Sequence, residues 1–138
     1  MRVVIDTHGI LNAVSSYGSE KWLYDSFVSE KFIWVGSNEI IAEYSEIIGQ
    51  NFGNTITTFV LESLINAKNF EHYEPSYKWQ LVEKDPDDNK FVDCAIGVNA
   101  DYLVSDDKHI RALLKIPNLF PPVPIVTFRE FKKILDNK

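Results

Sequence analysis

The sequence predicts an α/β fold, a parallel sheet covered by helices on both faces. Three observations predict it. Short strand-like apolar runs alternate with helical stretches along the 138 residues, the pattern of parallel strands joined by helical crossovers. Two of the strand-like runs end in acid, VVID at Asp6 and YLVSDD at Asp106 and Asp107, and in such sheets ligands bind outside the carboxyl ends of the strands. No internal repeat, low-complexity segment or linker interrupts the alternation, so the length suits one domain, residues 1–138, around one core.

The elements follow in order. RVVID reads as a buried strand. EKWLYDSFVSE, beginning at Glu20, sets Trp22, Leu23, Phe27 and Val28 near helical spacing. FIWVG is a second strand, and Ser37 can cap a helix over NEIIAEYSEII. TITTFVLESLINAK reads as a third helix and FEHYE as a short strand or extended link. PDDNKFVDCAIGVNA is a helix with Pro86 at its first position, where the missing N–H costs nothing. DYLVS is a strand, KHIRALLK a helix, and LFPPVP a stiff apolar loop ahead of the last strand, PIVTF. Thr127 and Glu130 have the spacing of a capping box for the final helix, FREFKKIL.

Composition narrows the function. Hydrophobic residues make up 45% and charged residues 25%, an ordinary globular balance. No apolar run approaches the ~20 residues of a membrane span, and MRVVID lacks the architecture of a signal peptide. A single cysteine, Cys94, excludes an internal disulfide framework and a multi-cysteine metal site. The expected location is the cytoplasm. The net charge of -6 argues against a protein that coats nucleic acid through excess Lys and Arg. It leaves room for a nucleic-acid enzyme whose acids hold a cation, because the ion cancels them locally.

Position separates the acids. A helix advances about 100° per residue, which fixes each side chain relative to the apolar stripe. After Pro86 the stripe is Phe91, Ala95 and Val98, flanked by Val92 and Cys94. Asp88 projects at its centre, Asp93 nearly opposite, and Asp87 near the edge. Asp88 is therefore the acid that faces inward, with helix capping behind Asp85 as its ordinary alternative. After Ser37 the stripe is Ile40, Ile41, Tyr44, Ile47 and Ile48. Glu43 lies at its margin, while Glu39 and Glu46 lie further toward solvent. Asp6 and one of Asp106 or Asp107 come from strand ends, where turn chemistry is the alternative.

Four inward carboxylates would repel one another, and only Lys90 lies close in sequence to offset them. A divalent cation resolves the repulsion. All-oxygen ligands suit Mg²⁺ or Mn²⁺, ions that keep open positions and activate water for phosphodiester hydrolysis.

These residues carry a resemblance. VVIDTH, SNEIIAEY, DPDDNKFVDCAIGVNADYLVSDDKHI and PIVTFREF occur in the order and spacing of PIN-domain nucleases. The third segment is the most specific, and the resemblance runs over nearly the whole chain. It is strongest to the VapC-like branch, toxin components of toxin–antitoxin systems. The resemblance implies a three-layer α/β/α sandwich with a central parallel sheet of about four or five strands. It also implies a metal-dependent endoribonuclease, an RNA substrate, a cognate antitoxin and a homodimer. Carried over by position, the family's acids fall on Asp6, Glu43, Asp88 and Asp107, as catalytic and metal-binding residues. The first three are those that the strand end (Asp6) and the helix geometry (Glu43 and Asp88) select. Thr7, His8, Ser105 and Asp106 stand beside them as supporting groups. His8 departs from the pattern, because the family's first motif usually has Asn there. An alternative reading is a PIN-like binding module impaired in cutting. A receiver-type phosphoacceptor fold would need a lysine at a late strand end, and PIVTF offers none.

Lys108, Arg111 and Lys115 recur at i, i+3 and i+7, one helix face able to meet RNA phosphates. His72 and His109 lack a metal-ligand partner at helical spacing. Tyr17, Trp22, Tyr24, Trp34 and Trp79 read as core or interface aromatics, and Cys94 as inert packing.

Overall fold

Val3, Val4 and Ile5 are fully buried, and their strand, β1 (Arg2–Ile5), pairs on both edges. A continuous β-branched run rather than alternation marks a strand covered on both faces. The computed structural model describes residues 1–15 and 21–138; Tyr17 and Glu20 lie outside the described residues. After β1 come α1 (Thr7–Val14), α2 (Lys21–Val28), β2 (Ile33–Gly36), α3 (Asn38–Phe52), α4 (Asn54–Ile65) and β3 (Phe70–His72). A 3₁₀ turn at Pro86–Asp88 leads into α5 (Asn89–Gly97), followed by β4 (Tyr102–Val104). Then come α6 (Lys108–Arg111), a second 3₁₀ turn (Ala112–Lys115), β5 (Ile125–Val126) and α7 (Phe128–Asp136).

The sheet has five strands in the order β3-β2-β1-β4-β5, every pair parallel. The chain steps outward from β1 to β3, then returns to the other side of β1. The switch in strand order therefore lies between β1 and β4, where Ile5 pairs with Val104. Helices complete an α/β/α sandwich: α5 packs on β1 and β4, and α1 packs against α2 and α3. No helix among the described residues is long and apolar enough to cross a membrane.

Phe27, Phe32, Trp34 and Phe131 fill one end of the core, with Phe27 and Trp34 edge-to-face at 5.4 Å between centroids. Trp22 leans on Phe131, Tyr24 is half exposed, and Trp79 packs against Tyr77. Cys94 is buried, and burial pushes its thiol up to about 12, which keeps it unreactive.

Several elements differ from the sequence pattern. The pattern assigns no helix to residues 7–14, yet α1 forms because Asp6 caps it, accepting from the Gly9 N–H. α3 runs past Ile48 to Phe52 and is separated from α4 by Gly53, whose φ of 84° breaks the helix. The helix after Pro86 starts as a 3₁₀ turn. KHIRALLK is not one helix: it tightens after Arg111. The capping box of Thr127 and Glu130 forms with both of its hydrogen bonds.

Candidate functional site

The carboxyl ends of β1 and β4 set the first wall of a cleft of about 360 Å³, which Asp6, Thr7, His8, Glu43, Asp88 and Asp107 help to line, with Asp106 and Phe91. The structure thus brings the four sequence-selected acids to one cleft at the switch in strand order. Asp6 sits where β1 ends and α1 begins, only 5% exposed. Its Oδ1 accepts from the Gly9 N–H at 3.3 Å, and its Oδ2 accepts from the Ser105 hydroxyl. Burial lifts its carboxyl from an ordinary 3.8 to about 6, with the Ser105 and Gly9 hydrogen bonds limiting the rise. Ser105 is fully buried and links the two strand ends, since its Oγ also accepts from the Asp107 N–H at 3.0 Å.

Glu43 reaches the cleft because its neighbour Tyr44 anchors α3. The Tyr44 hydroxyl donates to the Ile5 carbonyl and accepts from Trp34 Nε1 at 3.2 Å. Both Glu43 oxygens have partners: Oε2 accepts from the Thr7 hydroxyl, and Oε1 accepts from Lys90 Nζ at 2.7 Å. Lys90 therefore neutralises one of the four acids, a pairing between α3 and α5 that sequence proximity does not display.

Asp107 caps α6, its Oδ1 accepting from the His109 and Ile110 N–H groups. Asp106 points its Oδ1 to the Phe128 N–H, at the start of α7. So both adjacent acids line the cleft, and both also do turn and cap work.

Asp88 is different. It makes no capping bond, and neither does Asp85 behind it. Its Oδ2 is buried without a hydrogen-bond partner. Burial, then the charges of Asp107 and Asp85, push its carboxyl up to about 7. A buried carboxylate oxygen with no donor is costly unless a cation meets it. That orphaned atom, among hard oxygen donors, is what a divalent ion fits.

His109 has no partner at helical spacing, as expected, but one ligand atom each of Asp85, Asp88 and His109 lies within 4.8 Å of the other two. The partners come from the loop before α5, so helical spacing within α6 could not reveal them. Asp93 does not face solvent. It is 5% exposed and accepts from the Trp79 N–H at 2.9 Å, because the loop after β3 folds over that face of α5. Lys108, Arg111 and Lys115 do not share one helical face, since the helix tightens between the last two. Arg111 Nη1 turns 3.8 Å from Glu130 instead, while Lys108 and Lys115 stay exposed. His8 is exposed at the rim, with Asn12 Nδ2 3.0 Å from its Nε2.

With this geometry in view, comparison with known proteins is informative. A family model described as PIN domain matches residues 2–109. The chain belongs to the PIN domain family. No curated protein matches it in sequence. Among solved structures, this PIN domain is similar to Mycobacterium tuberculosis VapC20, described as a sarcin-ricin loop cleaving toxin. The TM-score is 0.63 at 9% identity, over 80% of this chain and 94% of that one. It is also similar to Rickettsia felis VapBC2, solved bound to a DNA fragment from its promoter, with a TM-score of 0.64 at 14% identity, over 92% and 98% of the two chains. At these identities the likeness is one of fold.

Proposed function

We propose that this PIN domain is an endoribonuclease dependent on Mg²⁺ or Mn²⁺, the toxin of a toxin–antitoxin pair. The observation that carries the reading is the orphaned Asp88 oxygen within a cleft of four acids at the β1/β4 switch. In this reading Asp6, Glu43, Asp88 and Asp107 hold the cation. When bound, the cation supplies charge neutralisation at the phosphate and activation of the attacking water. The chain's own residues do the positioning. Ser105 orients Asp6 and ties it to the backbone of Asp107, Thr7 and Lys90 orient Glu43, and the α6 cap holds Asp107. In the same reading Lys108, exposed one residue beyond Asp107, meets a substrate phosphate.

The neighbour described as a sarcin-ricin loop cleaving toxin supports RNA as the substrate class. The VapBC2 neighbour supports an antitoxin as partner. An apolar groove of about 660 Å³ between α2 and α4 leaves Val28 60% and Phe59 70% exposed, which suits an antitoxin segment that presents apolar side chains. A homodimer and a cytoplasmic location complete the proposal.

The test is cleavage of RNA by the pure protein in Mn²⁺, in EDTA and in Asp6→Asn. Activity in Mn²⁺ alone, lost in the variant, is the expected result. Undiminished cleavage in Asp6→Asn or in EDTA would overturn it. A binding module that no longer cuts is the second reading, favoured by His8 in the first motif. Mn²⁺ binding without RNA cleavage would select it.

A further inference from the structure

We propose that Asp85 and His109 join Asp88 as ligands of a divalent cation, a mixed nitrogen and oxygen set at the edge of the four-acid cleft. This rests on the reading that the cleft holds such a cation. Three observations carry it.

The first is spacing. His109 Nδ1 lies 3.8 Å from Asp85 Oδ2 and 4.0 Å from Asp107 Oδ1. Those gaps are too long for hydrogen bonds. Two ligands of one octahedral ion, each at about 2.1 Å, stand about 3.0 Å apart when adjacent and about 4.2 Å apart when opposed. The separations fall between these limits.

The second is satisfaction of the remaining acids. Each oxygen of Asp6 and of Glu43 has a donor, and Asp107 Oδ1 has two. Asp88 Oδ2 has none, and Asp88 is the one of the four acids that groups with Asp85 and His109 at ligand range.

The third is that Asp85 is held in place without being used. The Asn89 side chain clamps the Val82 backbone at both its N–H and its carbonyl, at 2.8 and 3.1 Å. Asp93 holds Trp79 in the same loop. Asp85 follows three residues later at the cap position of a 3₁₀ turn, yet caps nothing. Its Oδ2 stands 3.8 Å from His109 Nδ1, a gap that a cation would bridge. A ligand imidazole is neutral, so His109 adds a donor without adding to the local negative charge. An imidazole also favours transition ions such as Mn²⁺ over Mg²⁺.

The experiment is pulsed EPR of the full chain loaded with Mn²⁺, read for ¹⁴N modulation from a coordinated imidazole, with calorimetry for affinity. The chain has three histidines, so His8→Gln, His72→Gln and His109→Gln assign the signal. The expected result is an imidazole signal in the parent chain that survives in His8→Gln and His72→Gln and disappears in His109→Gln. Affinity should fall about tenfold in His109→Gln and in Asp85→Asn. No nitrogen signal in the parent, or one that persists in His109→Gln, overturns the inference. Should His109→Gln not fold, the His8→Gln/His72→Gln double variant decides: a retained signal leaves His109 as its source, and a lost one refutes the inference. Mn²⁺ that binds through Asp6 and Asp88 with no nitrogen signal refutes this inference alone. No Mn²⁺ binding at all refutes the cation reading with it.

Discussion

The two walls of the cleft are built differently. On the strand-end wall, Asp6, Ser105 and Asp107 form a chain of hydrogen bonds that closes on backbone N–H groups. On the opposite wall, Asp88 enters from a 3₁₀ turn with Asp85 and His109 within ligand range behind it, and its carboxylate keeps a buried oxygen without a donor. Such a site divides its work between two kinds of wall. The sheet fixes one set of acids at low energetic risk, while the second wall stays under-satisfied and leaves its electrostatic demand to a cation.

Breaking the strand-end wall at its centre should have the largest effect. Asp6→Asn is expected to lower RNA cleavage at least about 10²-fold while leaving the circular dichroism spectrum intact. Stability should respond most to Gly9. A Cβ there would sit 2.4 Å from the buried Phe128 ring and 2.8 Å from Ile5 Cγ2. Gly9→Ala is expected to cost about 1–3 kcal/mol in denaturant unfolding, or more. On the other wall, Asn89→Ala releases the loop that carries Asp85. It should cost about 1–2 kcal/mol and weaken Mn²⁺ binding, with the Asp6 side of the cleft unchanged by NMR.

Titration sharpens the contrast at smaller amplitude. Asp6 and Asp88 are raised from 3.8 to about 6 and about 7 in the folded chain. The folded chain therefore holds protons that the unfolded chain releases. Their contribution to stability is present below the ordinary aspartate value and is lost as pH rises through about 6 and about 7. In EDTA, the melting temperature should rise by about a few degrees between pH 7 and pH 5, and the Asp6→Asn/Asp88→Asn double variant should flatten that slope. The smallest effect belongs to Lys115, exposed beyond the break in the helix: Lys115→Ala should leave RNA affinity unchanged within about twofold.

The sheet and three of the acids were readable from sequence for physical reasons. An apolar run that stops at Asp6 marks a buried strand end, and the 3.6-residue period puts Glu43 and Asp88 toward the interior. Period fails where a neighbour redefines inside and outside. Asp93 reads as solvent-facing until the loop at Trp79 covers it. Lys90 reads as a nearby charge until α3 and α5 pack and bring it to Glu43. Asp85 and His109 are separated by β4 and α5, so their meeting depends on the return of the chain to β1.

The most direct test of the central claim is a calorimetric titration of Mn²⁺ into the metal-free chain above about pH 7, where Asp88 is ionised. Asp88→Asn removes the charge of the orphaned carboxylate, and Asp106→Asn removes that of a carboxylate already bonded to Phe128. A loss of affinity of at least about tenfold is expected in Asp88→Asn, with little change in Asp106→Asn. Equal affinities in the parent chain and Asp88→Asn would contradict the claim.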